Sequence, residues 1–162
     1  MNESHVLAVD PGGTTGWAMS AQAGLAEPML VVHGEADFLT FLDVLDSLFA
    51  RSADEGRPTE IVAERYVITP RTAKLSQQTT ALEVIGVLKY FANRYDVLMT
   101  LQTPADAKRF ATNDRLAARE WLQRPLAAND HANDAIRHLM THLVKTKRMR
   151  AVVPPPSHTL DP

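Results

Sequence analysis

Cysteine is absent from all 162 residues. That excludes a disulfide framework, a thiolate nucleophile and a cysteine-ligated zinc. Long apolar runs are missing as well. No stretch approaches the roughly 18 apolar residues of a membrane span, and no basic flank precedes a long apolar segment near Met1. The sequence therefore predicts no signal peptide, no anchor and no membrane partner, and it fits a cytoplasmic protein. No internal repeat occurs, and neither does the Walker pattern or the dinucleotide fingerprint. Positive charge is scarce at first: residues 1–64 hold 2 Lys and Arg against 11 Asp and Glu, and residues 65–162 hold 15 against 8. The two parts carry −9 and +7 within an overall −2. The basic part can supply phosphate contacts or simply a solvated surface.

What is present reads as one domain. His5–Asp10 is a short apolar run that predicts a buried strand, ended by Pro11-Gly12-Gly13. Gly16–Met19 and Met29–His33 predict two further strands in a meander. Asp37–Ala50 carries Phe38, Phe41, Leu42, Leu45, Leu48 and Phe49 at helical spacing. Glu60–Tyr66 predicts another strand. Thr72–Tyr95 predicts a long helix with one core stripe (Ala81, Val84, Ile85, Leu88, Phe91 and Tyr95). A second stripe, Leu75, Leu82 and Gly86, is either another buried contact or an interface. Asp96–Gln102 predicts a strand, Thr103–Phe110 and Asn113–Leu122 two short helices, and His131–Lys147 the last long helix, capped by Asn129 or Asp130. The expected domain is residues 1–148, with Met149–Pro162 a Pro-rich, disordered tail. This order implies an α/β layered domain with a mixed sheet.

Four positions can carry chemistry. Asp10 ends the first strand; it either satisfies turn amides or faces a ligand. Glu64 sits within an apolar strand, where an ionised carboxylate needs a partner. That partner is an arginine such as Arg65 or Arg71, or a bound cation. His131 and Asp134 are three residues apart on the first turn of the last helix and share a face. They are a partly buried histidine and a surface acid, or they belong to a site. Taken together, three carboxylates and one imidazole suit magnesium or manganese. Two such ions about 4 Å apart can clamp the attacking and leaving oxygens of a phosphodiester. Arg71, Lys74, Lys108, Arg109 and Arg115 are the candidate phosphate contacts.

At these residues the sequence resembles the RuvC-like Holliday junction resolvases of the ribonuclease H-like superfamily, and looks closest to the small phage-encoded ones. The resemblance runs from about Val6 to Val144. It rests on Asp10 with Gly12 and Gly16, on Glu64, and on His131, Asp134 and Ala135; Gly86 and Thr103-Pro104 with Lys108 add to it. It implies a ribonuclease H-like, five-stranded mixed sheet in the order 3-2-1-4-5, flanked by helices. It implies a homodimer in a bacterial or phage-infected cell, cutting branched DNA with Mg2+ or Mn2+. Asp10, Glu64, His131 and Asp134 would hold the metal. Lys108, counted with the catalytic set, and Arg115 match basic positions near the scissile phosphate. The departure is His131, where many relatives carry Asp.

Three other readings fit parts of the pattern. An actin-like ATPase half shares the sheet, but 162 residues leave no second lobe. An RNA-processing nuclease of the same fold would change the substrate. A DNA-binding module without activity would not need all four candidate ligands.

Overall fold

The computed structural model describes residues 3–52, 55–66, 77–124 and 130–151. Its sheet is built from β1 (Glu3–Asp10), β2 (Thr15–Ala23), β3 (Met29–Ala36), β4 (Glu60–Glu64) and β5 (Leu98–Gln102). Their spatial order is β3-β2-β1-β4-β5. The first three strands form an antiparallel meander. β4 and β5 join it in parallel. The mixed sheet and its strand order are those the resemblance implied.

Strand alternation sends successive side chains to opposite faces, and each face has its own core. On one face Leu7, Val9, Ile61 and Ala63 meet α1 (Phe38–Phe49) and α2 (Gln77–Arg94). α1 starts where Asp37 accepts a bond from Thr40 N at 2.9 Å, and it buries Phe41, Leu45, Leu48 and Phe49. Phe49 packs on Phe91 and Tyr95, with ring centroids 5.0 and 4.9 Å away. Burying a side chain of this size contributes about 1.5–3 kcal/mol.

The other face carries Val6, Ala8, Ala18 and Val62. It is covered by α5 (His131–Lys145), which crosses β2, β1 and β4. Ala135, Ile136, Leu139 and Leu143 supply its apolar contact. The short helices α3 (Pro104–Phe110) and α4 (Asn113–Ala118) flank α5. Thr103 and Thr112 cap them through bonds from Asp106 N and Arg115 N.

Several element ends differ from the sequence expectation for one shared reason. β5 starts at Leu98 and not at Asp96, α4 stops at Ala118 and not at Leu122, and α5 stops at Lys145 and not at Lys147. Asp96, Glu120 and Lys147 each adopt a positive φ just after a helix. That conformation ends a helix and is usually signalled by glycine, which none of these positions has. β4 stops at Glu64, short of Tyr66. The expected tail also begins too early, because Met149 is buried in the core under α5. The predicted start of α2 at Thr72, and residues 152–162, lie outside the described residues. No described helix is long and apolar enough to cross a membrane.

Candidate active site

β1 and β4 run parallel and in register up to Val9 opposite Ala63. The next residue on each strand is an acid, so Asp10 and Glu64 stand side by side at the end of the sheet. Both follow the alternation that faces α5. The first turn of α5 comes down onto the same edge. His131 Nδ1 lies 2.9 Å from Asp10 Oδ2.

Gly16 is what lets α5 approach so closely. It pairs with Asp10 across β1 and β2. A Cβ at Gly16 would stand 1.9 Å from the His131 carbonyl oxygen. The helix backbone therefore rests on a strand position that tolerates no side chain.

The helix start is fixed from two sides. Asp130 caps it by accepting from Asn133 N at 3.0 Å. Glu35 on β3 accepts from Ala132 N, also at 3.0 Å. Asn133 is fully buried and ties the preceding segment down through both Gln123 N and Gln123 O.

The electrostatics of this edge are those of crowded acids. The Asp10 carboxyl is pushed above its usual range, first by burial. The His131 hydrogen bond opposes that shift, and the charges of Glu64 and Asp134 add to it. His131 is raised in turn, chiefly by its bond to Asp10, with burial opposing. Asp134 faces two cations: Lys108 Nζ at 3.1 Å and Arg137 Nη1 at 2.8 Å. Arg137 also donates to Asn113.

Among the described residues, no three His, Asp or Glu side chains close on a single point as they stand. The contacts above account for this. His131 is drawn onto Asp10, and Asp134 onto Lys108 and Arg137. The donors nonetheless fit a hard divalent cation. Asp10 is a buried carboxylate beside two like charges, an arrangement that a cation relieves. For His131 to ligate through Nδ1, the proton shared with Asp10 must leave.

Similarity to solved structures bears on the fold that carries this edge. Among solved structures the chain is similar to T. thermophilus RuvC in complex with Holliday junction substrate. The TM-score is 0.65 at 12% identity, covering 92% of this chain and 99% of that one. It is similar also to another Thermus thermophilus RuvC structure, at TM-score 0.62 and 16% identity, covering 91% and 99%. The yeast mitochondrial Holliday junction resolvase Ydc2 follows, at TM-score 0.51 and 12% identity, covering 90% and 82%.

The chain has the RuvC fold. No family model matches the sequence, and no curated protein matches it.

Within this RuvC fold, Asp10, Glu64, His131 and Asp134 gather at one edge of the sheet, with Lys108 touching Asp134. Arg109 is exposed on α3. Arg115 is engaged internally: Nη1 donates to the Phe110 carbonyl at 2.5 Å, and its guanidinium lies over the Phe110 ring. Arg71 and Lys74 lie outside the described residues.

Glu35, Arg137, Gln102 and His138 also touch this edge, and none of them is among the candidate residues of the sequence. A signal existed for His138. Glu60 and Glu64 are four apart and face α5, and so are His138 and His142 on the facing helix. Each histidine meets one of the acids, at 2.9 Å for His138–Glu64 and 2.7 Å for His142–Glu60.

Proposed function

We propose that this chain is a divalent-metal-dependent endonuclease that cuts branched DNA, such as four-way (Holliday) junctions. The observation that carries the reading is the placement of Asp10 and Glu64 side by side at the ends of parallel strands, with His131 and Asp134 above them. Asp10, Glu64, His131 and Asp134 would hold Mg2+ or Mn2+, two ions per site. Bound there, the metal supplies Lewis acidity and lowers the pKa of water at the phosphodiester. The protein's own part is positional. β1 and β4 fix the carboxylates on a rigid sheet, and Gly16 lets α5 seat His131 against Asp10. Lys108 presents a largely exposed ammonium beside Asp134, where it can neutralise a phosphate oxygen.

A symmetric junction needs two cuts, and a two-fold dimer supplies two such sites. The proposed interface is the outer face of α2. Leu82 is exposed there, and a Cβ at Gly86 would meet nothing within 4 Å among the described residues. Packing among the described residues gives no reason for a glycine at 86, whereas close approach of a second helix would. Leu75, the third residue of the expected stripe, lies outside the described residues. Leu82→Arg is expected to give monomers by sedimentation at micromolar concentration. A wild-type chain that is itself monomeric there would remove this interface.

The test of activity uses matched linear, forked and four-way DNAs, and an RNA duplex, with and without Mg2+ or Mn2+. Cleavage of the four-way DNA that stops on adding a chelator is expected. Cleavage of the RNA alone would replace the substrate, and no cleavage of any of them with metal present would sink the reading.

A further inference from the structure

We propose that His138 is a positioning residue that holds Glu64 in its metal-binding orientation, and that Gln102 in turn holds His138. This rests on the reading of Glu64 as a metal ligand. The three side chains form a line behind the site. Glu64 on β4 and Gln102 on β5 are register partners on adjacent parallel strands, and both face α5. His138 comes down between them. Its Nε2 lies 2.9 Å from Glu64 Oε2, and its Nδ1 lies 3.1 Å from Gln102 Oε1. The imidazole is 1% exposed.

Proton placement leaves one arrangement at the acid. An ionised carboxylate only accepts, so the Nε2 proton must point at Glu64. Gln102 can serve either form of the ring. Its carbonyl accepts from Nδ1–H, or its turned amide donates to a bare Nδ1. In both cases Nε2–H donates to Glu64 Oε2. That bond stops rotation of the carboxylate and leaves Oε1 as the oxygen without this tether.

A purely space-filling role does not account for the residue. Ala135, Ile136, Leu139 and Leu143 beside it on α5 are apolar and buried, and a leucine would fill the same volume without a buried polar ring. What a leucine lacks is the donor. Losing a hydrogen bond that orients a metal ligand typically costs about 10–100-fold in metal affinity or activity.

Two near-isosteric variants separate the donor from the volume. His138→Gln keeps an N–H at the Nε2 position, facing Glu64. His138→Asn keeps one only at the Nδ1 position, facing Gln102. The full-length chain is titrated with Mn2+, followed by the electron spin resonance of free Mn2+. In parallel, four-way DNA cleavage is measured across Mn2+ concentration, and thermal unfolding is recorded without metal. His138→Gln is expected within about 3-fold of wild type in Mn2+ affinity. His138→Asn is expected to need about 10–100-fold more Mn2+, with cleavage recovering at high Mn2+. If His138→Asn binds Mn2+ like wild type, or His138→Gln is as weak as His138→Asn, the proposal is overturned. Should His138→Asn fail to fold, Gln102→Leu takes its place, with a several-fold loss of Mn2+ affinity expected and no change overturning the idea. Glu64→Gln tells the two levels apart. Wild-type cleavage by Glu64→Gln would remove the site itself. An inactive Glu64→Gln beside a His138→Asn of normal Mn2+ affinity would remove only the role of His138.

Discussion

Two glutamates on one strand meet two histidines on one helix, and the two pairs are treated in opposite ways. At the inner end of β4, Glu60 is closed off. His142 Nε2 approaches one oxygen at 2.7 Å, and Arg148 takes the other. The His142 contact lowers the Glu60 pKa most, burial opposes it, and Arg148 adds to the lowering. At the outer end, Glu64 receives His138 on one oxygen and stands beside Asp10, whose carboxyl is pushed up by burial and by its acidic neighbours. Both oxygens of Glu60 are engaged, one by a histidine and the other by an arginine. At the edge that would hold metal, Asp10 and Glu64 stand side by side with one histidine partner each among the described residues, while Asp134 is held by Lys108 and Arg137; a bound cation would relieve the crowding of the first two.

Cleavage is where this contrast is broken most sharply. Asp10→Asn and Glu64→Gln should each lower four-way junction cleavage by several orders of magnitude while the chain unfolds near the wild-type temperature. Glu60→Gln, the same chemical change about 13 Å further along the strand, should cut within a few-fold of wild type. Equal losses at Glu60 and Glu64 would mean that the assay reads folding and not chemistry. His131→Ala belongs with the first group and should cut poorly. His131→Asp should retain cleavage, since it restores an oxygen ligand.

Gly16→Ala tests how closely α5 must sit. The added methyl meets backbone atoms of His131, which cannot rotate away. The helix start must move, at about 1–3 kcal/mol. A displacement of about 1 Å at a catalytic edge costs about 10²-fold in rate. Both unfolding and cleavage should therefore change in this variant, unlike in Asp10→Asn. A Gly16→Ala protein with wild-type cleavage would show that the His131 position is not critical.

The frame, and the gathering of the candidate residues at one sheet edge, were legible in the sequence because they depend on local pattern. Alternation in His5–Asp10 and Glu60–Glu64 gives buried strands, and an acid at the end of each gives the pair. The i, i+3 spacing puts His131 and Asp134 on one helix face. Helix ends without glycine were not legible, since Asp96, Glu120 and Lys147 take a positive φ that their side chains do not announce. The contacts of His138 with Gln102, of Glu35 with Ala132 N, and of Gly16 with His131 join residues 36, 97 and 115 positions apart in the chain. Only the strand order brings them together. Arg115 shows the converse: a basic side chain that reads as a phosphate contact is spent on the Phe110 carbonyl and ring.

The smallest expected effect is on stability, and it isolates the closed end of β4. Glu60 has a folded-state pKa below its ordinary 4.5, so it contributes stability above that value and loses it as pH falls through the lower, folded value. Glutamine keeps an accepting oxygen but no charge, leaving the Arg148 guanidinium less well compensated. Glu60→Gln should therefore be less stable than wild type by about 1–2 kcal/mol at pH 7 in metal-free urea unfolding. Because glutamine does not titrate, the gap between the two proteins should narrow steadily below about pH 4.5. Groups that titrate alike in both proteins cancel from the difference. A gap that stays constant or widens on acidification would mean that Glu60 is held by packing and not by its charge, and the contrast with Glu64 would lose its electrostatic basis.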